Sequence, residues 1–181
     1  MNRQPTLKGA RLLLRPLRPD DRDALYAVAS DPLVWEVHPA HDRWQEAVFR
    51  QFFADALDKG GALVVIDRAS GEIVGSSRFQ NYSEEDGQSV EIGWTFLARE
   101  YWGGDYNREM KRLMLAHALK SVERVQFIVG EDNVRSRKAM AKIEGVRDDW
   151  TETREMAGGP VRHVRFTIDR AGFASGPLGG A

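Results

Sequence analysis

Glu91-Ile92-Gly93-Trp94-Thr95-Phe96-Leu97, followed three residues later by Tyr101-Trp102-Gly103-Gly104-Asp105-Tyr106-Asn107-Arg108, is the stretch that decides the fold. A β-rich run leads through a small-residue turn into a long helical pattern. A helix start presents free amides and the positive end of the helix dipole, and glycines let a bulky phosphate approach the backbone. On these residues alone two readings stay open: an anion site, or a plain tight turn. The absence of Gly-Lys-Ser/Thr removes a nucleotide-triphosphate P-loop, and the turn does not match the dinucleotide fingerprint.

Working outward, Arg11 to Arg15 reads as a first strand, closed by Pro16 and Pro19. Asp20 or Asp21 caps a short helix to about Ala29, which Asp31-Pro32 breaks. A second helix spans about Arg43 to Lys59, with Ala47, Phe49, Phe52, Phe53, Ala56 and Leu57 on its apolar face and Gly60-Gly61 at its end. Strands follow at 62–66, 72–82 and 89–97, the last two joined by a polar, acidic turn from Ser83 to Gln88. After the helix of about Tyr106 to Ser121 come a strand at 124–130, a helix from Asn133 to Glu144 ended by Gly145, and strands at 146–156 and 161–169. The expected class is α/β (α+β): one domain over residues 1–170, with a mixed, mostly antiparallel seven-stranded sheet flanked by four helices. The meander gives antiparallel pairs, and a strand-helix-strand crossover gives a parallel one. Residues 171–181 form a Gly-rich C-terminal tail expected to bury little.

The bulk properties narrow the function. The chain has 181 residues, 42% hydrophobic and 29% charged, as a soluble globular domain does. A net charge of −1 makes no electrostatic case for nucleic acid or an anionic membrane. With no cysteine there is no disulfide framework, thiolate nucleophile or cysteine zinc site. No apolar run approaches the roughly 20 residues that span a bilayer, and Met1 to Gly9 lacks an apolar signal core. The expectation is a cytoplasmic protein with neither nucleic-acid nor membrane partners.

In element order and in five motifs the chain resembles the GCN5-related N-acetyltransferases, in the branch related to ribosomal-protein N-terminal acetyltransferases. The motifs are Leu12-Leu13-Leu14-Arg15 with Asp20-Asp21, Ile73-Val74-Gly75, Glu91-Ile92-Gly93-Trp94, Tyr101-Trp102-Gly103, and Asn133-Val134-Arg135-Ser136 followed by Lys142-Ile143-Glu144-Gly145. The resemblance implies acetyl-CoA (coenzyme A) as cofactor, lying in a V-shaped opening between the strands at 89–97 and 124–130. It implies backbone pairing of Thr95, Phe96 and Leu97 with the pantetheine arm, and a pyrophosphate held by amides of Trp102, Gly103, Gly104, Asp105, Tyr106, Asn107 and Arg108. Asn133 is the implied contact to the cofactor arm, with Arg137 and Lys138 either cations for the nucleotide end or parts of a solvated helix face. Asp105 departs from the family, which commonly has a small residue there. Its carboxylate either points outward, the expectation, or caps the helix and competes for the amides a phosphate needs.

The implied reaction is acetyl transfer to a primary amine, on a small molecule or a peptide, by direct attack in a ternary complex. The alternative is a non-catalytic acyl-CoA-binding or regulatory module of the same fold. The attacking amine must first lose a proton. Glu91 is the candidate base or an ordinary sheet carboxylate; Ser136 is the candidate acid or a helix-start serine bonding the backbone; Tyr101 and Tyr106 are further proton donors or packing residues. Trp35, His38, His41 and Trp44 cluster where the family places acceptor contacts, or the aromatics among them are core or lid packing. His38 and His41 are three apart without a third ligand, so no metal is expected. Asp148, Asp149, Glu152 and Glu155 either receive a cationic acceptor or form a solvated strand edge, and His117 reads as a packed core histidine. A homodimer is the assembly expected from symmetry and family habit.

Overall fold

The computed structural model describes residues 1–85 and 88–179, so positions 86 and 87 of the acidic turn and the last two residues of the tail lie outside the described residues. In chain order the elements are β1 (Leu7–Lys8), β2 (Leu12–Pro16), α1 (Arg22–Ala29), α2 (Glu46–Lys59), β3 (Ala62–Asp67), β4 (Ile73–Ser83), β5 (Ser89–Leu97), α3 (Asp105–Ala118), β6 (Arg124–Gly130), α4 (Val134–Lys142), β7 (Val146–Met156), β8 (Gly159–Asp169) and α5 (Arg170–Ser175). Short 3-10 turns at Pro19–Asp21, Pro32–Val34 and Arg99–Tyr101 punctuate the connections.

The strands form one sheet in the order β1-β2-β3-β4-β5-β6-β8-β7. Every neighbouring pair is antiparallel except β5 and β6, which the α3 crossover makes parallel. The expected seven strands become eight because β1 adds two residues, too short to carry a period of their own. The expected four helices become five because Asp169 accepts from the Gly172 amide at 2.7 Å and starts α5 inside the glycine-rich tail. The tail is held by contacts distant in sequence: Leu178 is buried, Arg108 donates to the Pro177 carbonyl, and Arg170 donates to the Leu119 and Val122 carbonyls.

Alternation along the central strands divides the core between two sheet faces. In β3, Leu63 and Val65 join Met110, Met114 and Leu115 of α3, while Ala62 and Val64 join Leu25 of α1 and Phe49 and Phe53 of α2. A strand covered on both faces therefore reads as a continuous apolar run. On α3, Met110, Met114, Leu115 and Ala118 form the buried stripe.

A buried carboxylate fixes α3 against the sheet. Glu109 Oε1 accepts from the amides of Arg11 at 2.9 Å and Leu12 at 3.0 Å. Replacement by Ala strands two amides at the start of β2. Glu109→Ala is expected to lose about 2–4 kcal/mol in urea unfolding, and Glu109→Gln, which keeps an acceptor oxygen, markedly less.

Candidate active site

β5 and β6 pair only from Ser89 to Glu91, opposite Arg124 to Gln126. Beyond Glu91, β5 stays with β4 as far as Leu97, and β6 stays with β8 as far as Gly130. Each strand follows its outer neighbour, so the sheet forks. One extra residue in β5 sharpens the bend: Ser76 lies opposite Phe96 and Arg78 opposite Gly93, and Trp94 between them has φ 52°. Gly75 makes the close approach to β4 possible, because a Cβ there would lie 2.1 Å from the Phe96 carbonyl oxygen. The fork opens into a cleft of about 670 Å³, lined by β5 from Glu91, by β6 from Phe127, by the starts of α3 and α4, and by the connection between α1 and α2. Along it, the inner edge of β5 from Ile92 to Leu97 has no partner strand. The Trp102 indole closes the far end by donating to the Leu97 carbonyl at 2.8 Å.

The start of α3 meets this cleft. Gly103 takes φ 72°, and the space where side chains would stand at Gly103 and Gly104 is open. Gly104 occupies the cap position and no side chain caps the helix. Asp105 turns away: its carboxylate lies 3.1 Å from Arg11 Nη2, is 62% exposed and does not line the cleft. The outward orientation is the one adopted, and the first-turn amides are not spent on this carboxylate.

Where the two strands part sits Glu91, 2% exposed, with Oε2 accepting from the Asn81 side-chain amide at 2.7 Å. Burial raises its pKa, while the Asn81 hydrogen bond and the charge of Arg154 pull the other way. Asn81 has φ 50° at a second register shift, in β4. From α3, Lys111 enters the cleft 4% exposed, donating to Thr95 Oγ1 at 3.0 Å, which in turn shares a proton with Ser77 Oγ at 2.8 Å. Among the described residues no carboxylate pairs with Lys111, and burial lowers its pKa to about 7. Two neutral histidines complete the walls. His163 Nδ1 bonds the Val161 carbonyl, leaving Nε2 as the free acceptor, and burial lowers its pKa. His38 Nδ1 accepts from the Ala40 amide at 2.9 Å; burial, with the charges of Arg43 and Arg135, lowers its pKa to about 3.

Of the residues singled out in the sequence, the cleft brings together Glu91, Thr95, Phe96, Leu97, Trp102, Gly103, Gly104, Asn107, Arg108, Asn133, Ser136, Lys138, Trp35 and His38. The others stand outside it, Tyr101 and His41 included. Asp105 pairs with Arg11, Tyr106 packs edge-on against Tyr101, Arg137 donates to the Glu131 carbonyl, and Trp44 is 40% exposed. Asn133 accepts from the Ser136 amide at 3.0 Å and so caps α4. Asp148 pairs with Arg165 and Glu152 with Arg154, and neither Asp149 nor Glu155 lines the cleft. His117 is half-buried rather than fully packed, bonding the Asn2 carbonyl oxygen. Lys111, Arg43, Arg135 and His163 were not singled out, yet all line the cleft. A lysine one residue from Met110 inside an apolar helical stripe was the one legible signal among them. The described residues hold no group of three His, Cys, Asp or Glu able to bind a metal, and no helix among them is long and apolar enough to cross a membrane.

Comparisons with known proteins converge on this architecture. The family model described as the Acetyltransferase (GNAT) domain matches residues 11–146, which include the fork and the starts of α3 and α4. A GCN5-related N-acetyltransferase from Brucella melitensis superposes with a TM-score of 0.79 at 19% identity, over 97% of this chain and 82% of that one. Mycobacterium smegmatis RimJ, in complex with CoA-disulfide, gives 0.72 at 17% identity over 92% and 86%. Spermidine N-acetyltransferase from Vibrio cholerae, in complex with CoA and spermine, gives 0.69 at 15% identity over 92% and 100%. At these identities the structures show the shared fold, and the family model supplies the assignment. The chain belongs to the GNAT acetyltransferase family and is an acyl-CoA-dependent acetyltransferase.

Proposed function

We propose that the protein transfers the acetyl group of acetyl-CoA to a primary amine by direct attack in a ternary complex. The observation that carries this reading is the fork itself: a bare strand edge with an uncapped helix start at one end and a buried carboxylate at the other. The residues present fit the cofactor. The unpaired edge of β5 from Ile92 to Leu97 suits an extended arm that carries amides, and the open glycines and free amides of α3 suit a pyrophosphate. Lys138 and Lys142 line the same cleft and supply positive charge. RimJ in complex with CoA-disulfide and spermidine N-acetyltransferase in complex with CoA and spermine share the fold, which supports CoA as the ligand class.

Bound acetyl-CoA would supply an acyl group already activated as a thioester. The chain's own residues hold the reactants, move the proton and exclude water. Glu91, with its pKa raised by burial, is the group to take the proton of the incoming ammonium, directly or through a water. Asn81 fixes its orientation. Ser136 lines the cleft, its amide held by Asn133, and its hydroxyl is the donor assigned to the departing thiol. Lys111 spends one hydrogen on Thr95 and keeps the others for a ligand in the fork.

Three outcomes test this reading. Isothermal titration is expected to show CoA binding, and no heat at millimolar CoA would contradict it. Glu91→Gln is expected to lower kcat by about 10²–10⁴-fold with CoA affinity unchanged. The rise of wild-type kcat with pH, which follows deprotonation of a base whose pKa is raised, is expected to disappear in that variant. The third outcome concerns Lys111. Its folded pKa is lowered, so the penalty for its buried charge is fully present below about pH 7 and is relieved as pH rises toward the unfolded value. Lys111→Met is therefore expected to be more stable than wild type in urea at pH 7. The gap should narrow by up to about 1.4 kcal/mol per pH unit above that.

A further inference from the structure

Among the described residues, the cleft and its wall hold guanidiniums that lack a full set of acceptors, Arg43 and Arg78. Gly93 follows Glu91 by two residues, so both face the same side of β5, and Arg78 is the residue opposite Gly93 on β4. The missing side chain at Gly93 leaves a pit at the edge of the Glu91 carboxylate; a Cβ there would stand 3.2 Å from Glu91 Oε1. Arg43 lines the cleft from the connection between α1 and α2. Its guanidinium stacks 4.5 Å from the Phe52 ring centroid and 5.5 Å from that of Trp35. Arg78, 1% exposed, stacks on the same Phe52 ring at 5.6 Å and on Trp94 at 5.2 Å.

The two guanidiniums are short of acceptors. Arg78 Nη1 bonds Asp55 and Gln80, but its Nε and Nη2 are buried without a hydrogen-bond partner. Asp55 also serves Lys59 at 2.8 Å. Arg43 has no ion pair or side-chain hydrogen bond among the described residues; its guanidinium stacks on aromatic faces, and Asp42 and Asp55 act on it only through their charge. Ring faces attract a cation but accept none of its in-plane N–H groups. The neighbouring cations are engaged elsewhere, Arg154 by Glu152 and Arg135 by the Val34 carbonyl. Glu91 is the only carboxylate lining the cleft among the described residues.

We infer that the acceptor is a primary amine bearing a carboxylate, with Arg43 receiving the carboxylate while the amine lies against Glu91. This rests on the acetyltransferase reading above and names its substrate class. A guanidinium gains most from a planar carboxylate that takes two of its hydrogens at once, and an otherwise unpaired charge is costly in a site screened from water. A zwitterionic acceptor matches the site charge for charge: ammonium to Glu91, carboxylate to Arg43. A polyamine meets repulsion from Arg43 and Arg78 and leaves both unsatisfied. In the reaction the acceptor nitrogen forms a bond to the acetyl carbon and the carbon–sulfur bond breaks. The ammonium gives up two protons; one ends on the thiolate of CoA, and the other leaves to solvent by way of Glu91.

Thiol release with matched acceptors tests this. The panel pairs free amino acids with their carboxamides and with the decarboxylated amines, and adds spermidine and peptides beginning with Asp or Glu. At least one carboxylate-bearing acceptor should exceed its uncharged counterpart in kcat/KM by about 30-fold or more. Arg43→Gln should erase that preference mainly through KM, Arg43→Lys should restore part of it, and CoA affinity by calorimetry should match wild type in both. Activity on the peptides rather than on free amino acids would identify the source of the carboxylate within the same class. Equal turnover of carboxylate and carboxamide, a preference for spermidine, or a preference that survives in Arg43→Gln would overturn the inference. So would intact CoA binding with no turnover of any carboxylate-bearing amine. Failure of wild type to bind CoA would instead overturn the acetyltransferase reading on which the inference rests.

Discussion

The structure depends on the separation of two neighbouring parallel strands after three residues of pairing. Backbone amides and carbonyls need partners, and a strand parted from its neighbour in the middle of a sheet presents an unmet row of them. Here the parting is enforced from both sides. β4 holds β5 through the Gly75 contact and the bulge at Trp94, and β8 holds β6 along its whole length. The gap between them is thus built into the register of the sheet. A ligand able to act as a strand completes it, and Glu91, the last paired residue of β5, stands at the point where the gap begins.

Charge follows the same division of the sheet. On the α3 side, the helix start and the cleft-lining lysines present positive charge to the fork, and Asp105, the one acid at that helix start, is drawn off by Arg11. On the side of α1 and α2, Arg43 and Arg78 stack on aromatic rings around the pit at Gly93. Buried charges without partners are expensive, and a stable domain rarely keeps several near one cavity unless a ligand completes them. Lys111 in the cleft and the orphaned nitrogens of Arg78 in its wall make a case of that kind.

Much of the fold was legible because its signals are local. The continuous apolar run of β3, the stripe of α3 and the turn at Gly103-Gly104 are read from neighbouring residues, and the ends of β5, β6 and β7 fell where the pattern put them. β1 and α5 were not legible: a two-residue strand has no period, and the tail is ordered by Leu178 and Arg108 across the fold. The same distinction governs the site. Glu91, Asn133 and Ser136 sit in motifs, whereas Arg43, read as the first residue of the second helix, lies in the connection before α2, which begins at Glu46. The outward set of Asp105 was the expectation, but its partner Arg11, far away along the chain, was not legible.

The central claim is that the bare edge of β5 receives acetyl-CoA as an added strand. Backbone amide hydrogen exchange, with and without CoA, tests it most directly. The account predicts slowed exchange concentrated at residues 92–97 and in the first turn of α3, with little change along the outer strands β2 and β7. CoA binding that leaves residues 92–97 unprotected, or protects a different surface, would contradict it.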